Sequence, residues 1–194
     1  MKRLFGPIAV MVVGIMLSGC AGLIVASGAT VGVAAYQERG IEGAAQDTKL
    51  ATQIRMSYLE ASSALTTHVG IEVYESRVLL TGLVSEEQHR ADAVKLAWKV
   101  IGGKDVINEI QLRTEEGVVE FAYDAWISTQ LSSKLTFDEA ILSINYSIET
   151  VNSVIYLIGI AQDQAELDRV MGHAYSIDRV RKVISHVRVK DPGT

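Results

Sequence analysis

The chain has 194 residues, 48% hydrophobic and 21% charged, a balance that belongs to a folded protein and excludes disorder over most of the length. Its 18 Lys and Arg stand against 23 Asp and Glu, a net charge of −5, which excludes broad nucleic-acid binding and general electrostatic adhesion to anionic lipid, since both need a basic surface. The single cysteine, Cys20, excludes an internal disulfide.

At the N-terminus Lys2 and Arg3 form a short basic region, and Leu4 to Leu17 is apolar apart from Gly6, Pro7 and Gly14. Ser18 and Gly19 precede Cys20, giving the basic start, apolar stretch and small-residue cut site of a secretory signal. Leu17-Ser18-Gly19-Cys20 resembles the lipobox of bacterial lipoproteins. The resemblance implies a signal peptide over 1–19, diacylglycerol on the Cys20 thiol and a further acyl chain on its amine. Each buried methylene contributes about 0.8 kcal/mol, so several chains hold where one would not. Loss of Lys2 and Arg3 takes the net charge from −5 to −7. The competing reading is an uncleaved membrane helix, because apolar residues continue through Ile24, Val25 and Val33, beyond the ~20 needed to span a bilayer. Gly19, Gly22, Gly28 and Gly32 interrupt that stretch. Ala21, where lipoprotein sorting commonly reads Asp, implies delivery to the outer membrane. Residues 20–46, rich in Gly and Ala, read as a lipidated tether.

Asp47 is placed as an N-cap opening a first helix. Val69, Ile71 and Val73 alternate as in a half-buried strand, Glu75-Ser76 reads as a turn, and Val78 to Val84 as a second strand. Ser85, followed by Glu86 and Glu87, is expected to cap a longer helix whose apolar positions are Ala93, Leu96, Ala97 and Val100. Gly102-Gly103 ends it, and Val106, Ile110 and Leu112 mark a last strand. The pattern then repeats. Gly82 and Gly159 both end a strand, 159 − 82 = 77 positions apart, and that offset aligns Asp47 with Asp124, Ile71-Glu72 with Ile148-Glu149, and Val106-Ile107 with Val183-Ile184. Ile127, Leu131 and Leu135 form one face of the second copy's first helix. The expected fold class is α+β: two tandem helix–strand–strand–helix–strand domains over 47–114 and 120–192. Each is a three-stranded mixed sheet covered on one face by two helices. Val78, Leu80, Ile155 and Leu157 are expected in the cores, and the copies are expected to touch.

No catalytic or metal-binding constellation is present: the chain has no H-E-x-x-H, no Cys pair, no G-x-S-x-G and no phosphate loop. His68, His89, His173 and His186 are scattered without paired spacing; His173 and His186 read as two solvated surface histidines, the alternative being that they meet in the fold. Glu86-Glu87 reads as helix-start charge. Gly82 and Gly159 read as backbone positions, not ligands. No cofactor is expected beyond the lipid on Cys20.

An asymmetry between the copies is informative. Trp98 aligns with Tyr175, so an aromatic there serves the shared fold, whereas Trp126 aligns with Lys49. Phe121 and Tyr123 lie just before Trp126, and Gln130 and Lys134 follow it on the same helix. These five residues form the candidate lipid-binding set, because Trp and Tyr favour the lipid–water boundary and Lys134 can meet a phosphate. The alternative is that Trp126 packs against the first domain. Arg179, Arg181, Lys182, Arg188 and Lys190 form a basic cluster, a solvated surface or a further contact for anionic headgroups.

Val78-Leu79-Leu80-Thr81-Gly82, Val154 to Gly159, Val106-Ile107-Asn108-Glu109-Ile110 and Asp124-Ala125-Trp126-Ile127-Ser128-Thr129, behind a lipobox and tether, resemble the dual-BON-domain lipoproteins of Gram-negative bacteria over essentially the whole chain. The resemblance implies a non-enzymatic outer-membrane lipoprotein facing the periplasm. It would bind anionic phospholipid through its second domain and support envelope integrity at division sites. The rival readings are a periplasmic protein-interaction or chaperone-like adaptor and an enzyme accessory factor, with envelope proteins as partners and no nucleic acid.

Overall fold

The computed structural model describes residues 36–101, 105–113 and 121–191, so the signal peptide, Cys20, most of the tether and Gly102-Gly103 lie outside the described residues. In the first domain α1 (Gly40–Ala61) and the short α2 (Ser63–His68) precede a hairpin of β1 (Val69–Tyr74) and β2 (Arg77–Val84). There follow α3 (Glu87–Ile101) and two short strands, β3 (Val106–Asn108) and β4 (Gln111–Leu112), both parallel to β2. The second domain has α4 (Phe121–Phe137), a 3₁₀ turn (Ser143–Asn145), the hairpin β5 (Tyr146–Val151) and β6 (Val154–Ala161), then α5 (Gln164–Tyr175) and β7 (Lys182–Val189), parallel to β6. A shift of 77 residues, the separation of Gly82 from Gly159, carries β1 onto β5 and β2 onto β6 without remainder. The last strand differs: β7 pairs with β6 over its whole length, whereas its counterpart breaks between β3 and β4. There Ile110 N–H donates to the side chain of Asn108 instead of to the ladder.

Each sheet carries helices on one face. Val78 and Leu80 of β2 pack with Ile54 and Tyr58 of α1 and Ala93 and Ala97 of α3; Ile155 and Leu157 of β6 pack with Ile127 and Leu131 of α4 and Val170 of α5. Val78, Leu80, Ile155 and Leu157 are all fully buried, and each such side chain contributes roughly 1.5–3 kcal/mol. The opposite faces of the two sheets cover each other. Tyr74, Leu79 and Leu83 of the first sheet meet Val154, Tyr156 and Ile158 of the second in a third core. The order through the molecule is therefore helix, sheet, sheet, helix. The two central strands, buried on both sides, do not alternate: β6 is apolar throughout and β2 is apolar from Val78 to Val84 except at Thr81.

The edges of this seam are polar and follow the repeat. Glu109 and His186, equivalent positions in the two copies, pair with each other at 2.9 Å. Arg77 donates to the carbonyl of His186, Gln111 to the hydroxyl of Tyr156, and Arg188 pairs with Glu75.

Three expectations are corrected. The end of the tether is part of the fold: α1 begins at Gly40, seven residues before Asp47. Just upstream, Gln37 donates to the Ile144 carbonyl, Glu38 N–H to Asn145 and Lys190 to Glu38, so residues before the first domain grip the second. Secondly, Asp47 and Asp124 are not N-caps. They are buried within α1 and α4, where each carboxylate accepts two backbone N–H groups from a hairpin turn, those of Glu75 and Ser76 and those of Asn152 and Ser153. Both turns are two-residue loops with positive φ at both positions (50° and 63°, 53° and 60°) and no glycine. That type I′ geometry costs non-glycine residues about 1–2 kcal/mol each, and two hydrogen bonds to a charged acceptor, about 1.5–3 kcal/mol apiece, offset it. Arg39 in turn holds Asp47 at 2.8 Å. Thirdly, α3 begins at Glu87, so the capping position is Glu86, not Ser85; its repeat partner Asp163 caps α5 by accepting from Glu166 N–H.

Gly82 and Gly159 are backbone requirements. A Cβ on either would stand 2.0 Å from a main-chain carbonyl oxygen, that of His68 or of Asn145, the residue that leads into the neighbouring strand.

Asp124→Ala should lower the free energy of unfolding by roughly 2–4 kcal/mol, since it orphans two N–H groups at a strained turn. Ser153→Gly, which makes the turn Asn-Gly, should recover about 1 kcal/mol of that loss. Urea denaturation of the single and double variants measures both. A Ser153→Gly change that is neutral or harmful in the Asp124→Ala background would show that turn strain is not what the carboxylate offsets.

Candidate membrane-binding face

The polar side of α4 carries the candidate set. Ile127, Leu131 and Leu135 are buried against the second sheet, which fixes the helix in rotation. At 100° per residue Trp126, Gln130, Tyr123 and Lys134 then fall within about 80° of arc on the flank beside that buried face, Trp126 about 100° and Lys134 about 20° round from Ile127. Phe137 falls in the same arc and is missing from the sequence expectation. It is 84% exposed, while Trp126 is 41% exposed. Phe137 lies about 16 Å along the axis from Trp126, so aromatic rings stand at both ends of a stripe whose middle is Gln130 and Lys134. Phe121 is also exposed but projects about 140° round from Trp126, so it does not join the stripe.

Tyr123 anchors the stripe. Its hydroxyl donates to the Asp178 carbonyl, its ring packs on the core, and its centroid lies 5.0 Å from that of Trp126. The Arg179 guanidinium stacks 4.7 Å above the Tyr123 ring. Arg179 itself has φ of 63°, a left-handed conformation that turns the chain here. Arg179 thus lies on the aromatic pair at the start of the helix, and Lys134 follows about 12 Å further along it. Trp126 is 41% exposed and lies against Tyr123 of its own helix.

The basic cluster divides. Arg188 and Lys190 are engaged by Glu75 and Glu38 at the junction of the domains, and only Arg179 touches the aromatic stripe. Trp98 and Tyr175 are 42% and 60% exposed, so their equivalence does not reflect a shared core; each follows a fully buried alanine, Ala97 or Ala174, and faces out. The two histidines expected to be solvated are paired. His173 bonds Asp138 at 2.7 Å, and this contact holds the Asp138 carboxyl below its usual range; His186 bonds Glu109.

Other features carry no visible chemistry. A hollow of about 440 Å³ at the start of α5 contains the buried carboxylate of Glu166, but both its oxygens are taken, by the N–H groups of Leu142 and Gln162. Among the described residues no group of three or more His, Cys, Asp or Glu is placed to hold a metal ion, and no helix is long and apolar enough to cross a membrane.

The profile of the BON domain matches the chain twice, over residues 46–114 and 123–191. The chain is 42% identical over 123 residues to an uncharacterized protein in the gshII 5′ region of Anaplasma centrale, covering 63% of this chain and 82% of that one. It is 25% identical over 146 residues to the osmotically-inducible protein Y of Escherichia coli, covering 74% and 73% of the two chains. It is 26% identical over 179 residues to the outer membrane lipoprotein DolP of Haemophilus influenzae, covering 91% and 92%.

Because the stripe is supported from below and open above, Trp126→Ala and Phe137→Ala should each cost about 1 kcal/mol of stability or less. Ile127→Ala, one residue away but fully buried, should cost about 2–5 kcal/mol. Thermal or chemical denaturation separates them. A loss at Trp126 as large as at Ile127 would mean that the indole belongs to the core.

Proposed function

The chain belongs to the BON-domain family, and on that footing we propose that it is a non-enzymatic lipoprotein of the outer membrane, anchored at Cys20 and facing the periplasm. In this reading it lays α4 of its second domain on anionic phospholipid and supports envelope integrity at division sites. The observation that carries the lipid reading is the stripe of exposed Trp126 and Phe137 with half-buried Tyr123, with Lys134 within it and Arg179 on the Tyr123 ring, on one helix of one repeat. The equivalent positions on α1 are Gln46, Lys49 and Glu60, so the fold itself does not ask for aromatics there. Trp and Tyr place an apolar ring and a polar tip at the headgroup level, and a helix lying flat can bury its rings at both ends. The outer membrane lipoprotein DolP, aligned over nearly the full length of both chains, supports the same location.

Charge sets the strength. The whole protein is negative, but the Debye length is ~8 Å at physiological salt, so an anionic surface meets mainly the charges beside the stripe. There Lys134 and Arg179 contribute about 1 kcal/mol each. An acyl anchor on the same chain makes such weak contact sufficient, because the second contact is then intramolecular.

Flotation of the protein without its acyl anchor, on vesicles with and without anionic lipid, tests the proposal. Trp126→Ala and Phe137→Ala should each weaken binding to anionic vesicles by about tenfold, the ~1.4 kcal/mol of a partly inserted ring. Lys134→Gln should weaken it further, and more so at low salt. Unchanged binding by folded Trp126→Ala protein would end the lipid-site reading. A protein-interaction adaptor keeps one specific observation in its favour, the exposed Ile41, Met56 and Leu59 along one side of α1. Retention of client proteins but not vesicles would select it.

A further inference from the structure

The seam between the sheets is apolar except at one place. Glu72 in β1 and Glu149 in β5 are equivalent residues of the two repeats, and both project from the bare faces of their sheets, beside Tyr74 and Val151 of the third core. Glycine at position 70 leaves room for the meeting. An Oε of Glu149 comes within 3.9 Å of where a Gly70 Cβ would stand, so it reaches the backbone of the opposite domain. Thr81 Oγ1, fully buried and without a hydrogen-bond partner among the described residues, borders the same hollow, 2.6 Å from that point. From the other side Ser147 in β5 lies close enough to Glu72 to favour its charged form.

The surrounding charges do not balance the pair. Those acting on Glu149 are Glu72 across the seam and Asp124 from α4, both negative; those acting on Glu72 from the helix side are Arg55 and Arg39. Burial pushes the Glu149 carboxyl up to about 7, with Glu72 and then Asp124 adding to the rise. Burial also raises Glu72, and Ser147, Arg55 and Arg39 pull it part of the way back.

We propose that this carboxylate pair makes the packing of the two domains proton-dependent: a proton held on Glu149 keeps the sheets closed, and its loss leaves two like charges facing each other in the seam. Asp124 is committed to the turn at Asn152 and Ser153 and cannot supply that proton's role. The sign follows from linkage. The folded protein binds the proton more tightly than the unfolded chain, whose glutamate titrates near 4.5, so the contribution of this group to stability is fully present below that pH and is lost as the pH rises through about 7.

Two measurements on the folded chain test this. A ¹³C-carboxyl titration should show Glu149 changing protonation near pH 7; a midpoint between 4 and 5 would overturn the proposal outright. Urea midpoints across pH 5 to 8 give the second. Glu149→Gln should come closest to the wild type at pH 5 and exceed it increasingly up to about pH 7, above which the gap stays constant. The other ionisable groups are common to both proteins and cancel in the difference. Curves that stay parallel would show the carboxylate to be an ordinary polar residue. If Glu149→Gln fails to fold, Glu72→Gln serves instead, and it should lower the Glu149 midpoint in the ¹³C titration; an unmoved midpoint would show that the two carboxylates do not sense each other.

Discussion

One face of each sheet has no helix over it, and the two bare faces cover each other. The arrangement of the rest follows from that contact. A domain of some 70 residues buries too little surface to be more than marginally stable alone. The third core adds Tyr74, Leu79, Tyr156 and Ile158 to what the helices already bury. It turns β2 and β6 into strands buried on both sides and directs the helices to the two outer surfaces. That is why α4 can expose an aromatic stripe. Its inner face is held by Ile127, Leu131 and Leu135, while Trp126 and Phe137 are exposed.

The repeat gives the seam a nearly two-fold character, with Glu109 meeting its own counterpart His186 and Glu72 facing Glu149. Function enters where that symmetry fails. The first helix of one copy presents Lys49 and Glu60 to solvent, and that of the other presents Trp126 and Phe137. Gln37 and Glu38, just before the first domain, bind the second, so the chain that leads into α1 meets both domains at their junction. Two domains joined in this way present α4 in a fixed orientation.

The strands, their order and the doubling of the fold were legible because alternation, turns and a single offset agree over both copies. The continuous apolar run of Val154 to Ala161 also held the information that this strand is covered on both faces. A run of that kind does not say what covers the second face, and the seam was therefore visible only in three dimensions. Asp47 and Asp124 misled for a physical reason. An aspartate near a helix start looks like a cap in one dimension, but its partners are N–H groups nearly 30 residues on, at turns whose left-handed residues carry no glycine to announce them. The basic cluster was misread likewise: Arg188 and Lys190 are close in sequence to Arg179, yet their acids, Glu75 and Glu38, come from the other end of the chain. Phe137 could have been found by the comparison that singled out Trp126, since its equivalent is Glu60. It escaped because it stands at the last residue of the helix, apart from the aromatics that drew attention.

The two tryptophans stand one in each domain, Trp98 on α3 and Trp126 on α4, and so report separately on the two halves. Urea unfolding followed by fluorescence in Trp126→Phe, where Trp98 reports, and in Trp98→Phe, where Trp126 reports, tests the shared seam most directly. If the sheet–sheet core joins the domains into one cooperative unit, the two transitions coincide in midpoint and slope, and each slope reflects the surface exposed by both domains together. Separate midpoints, each with the shallow slope of a 70-residue domain, would contradict the account.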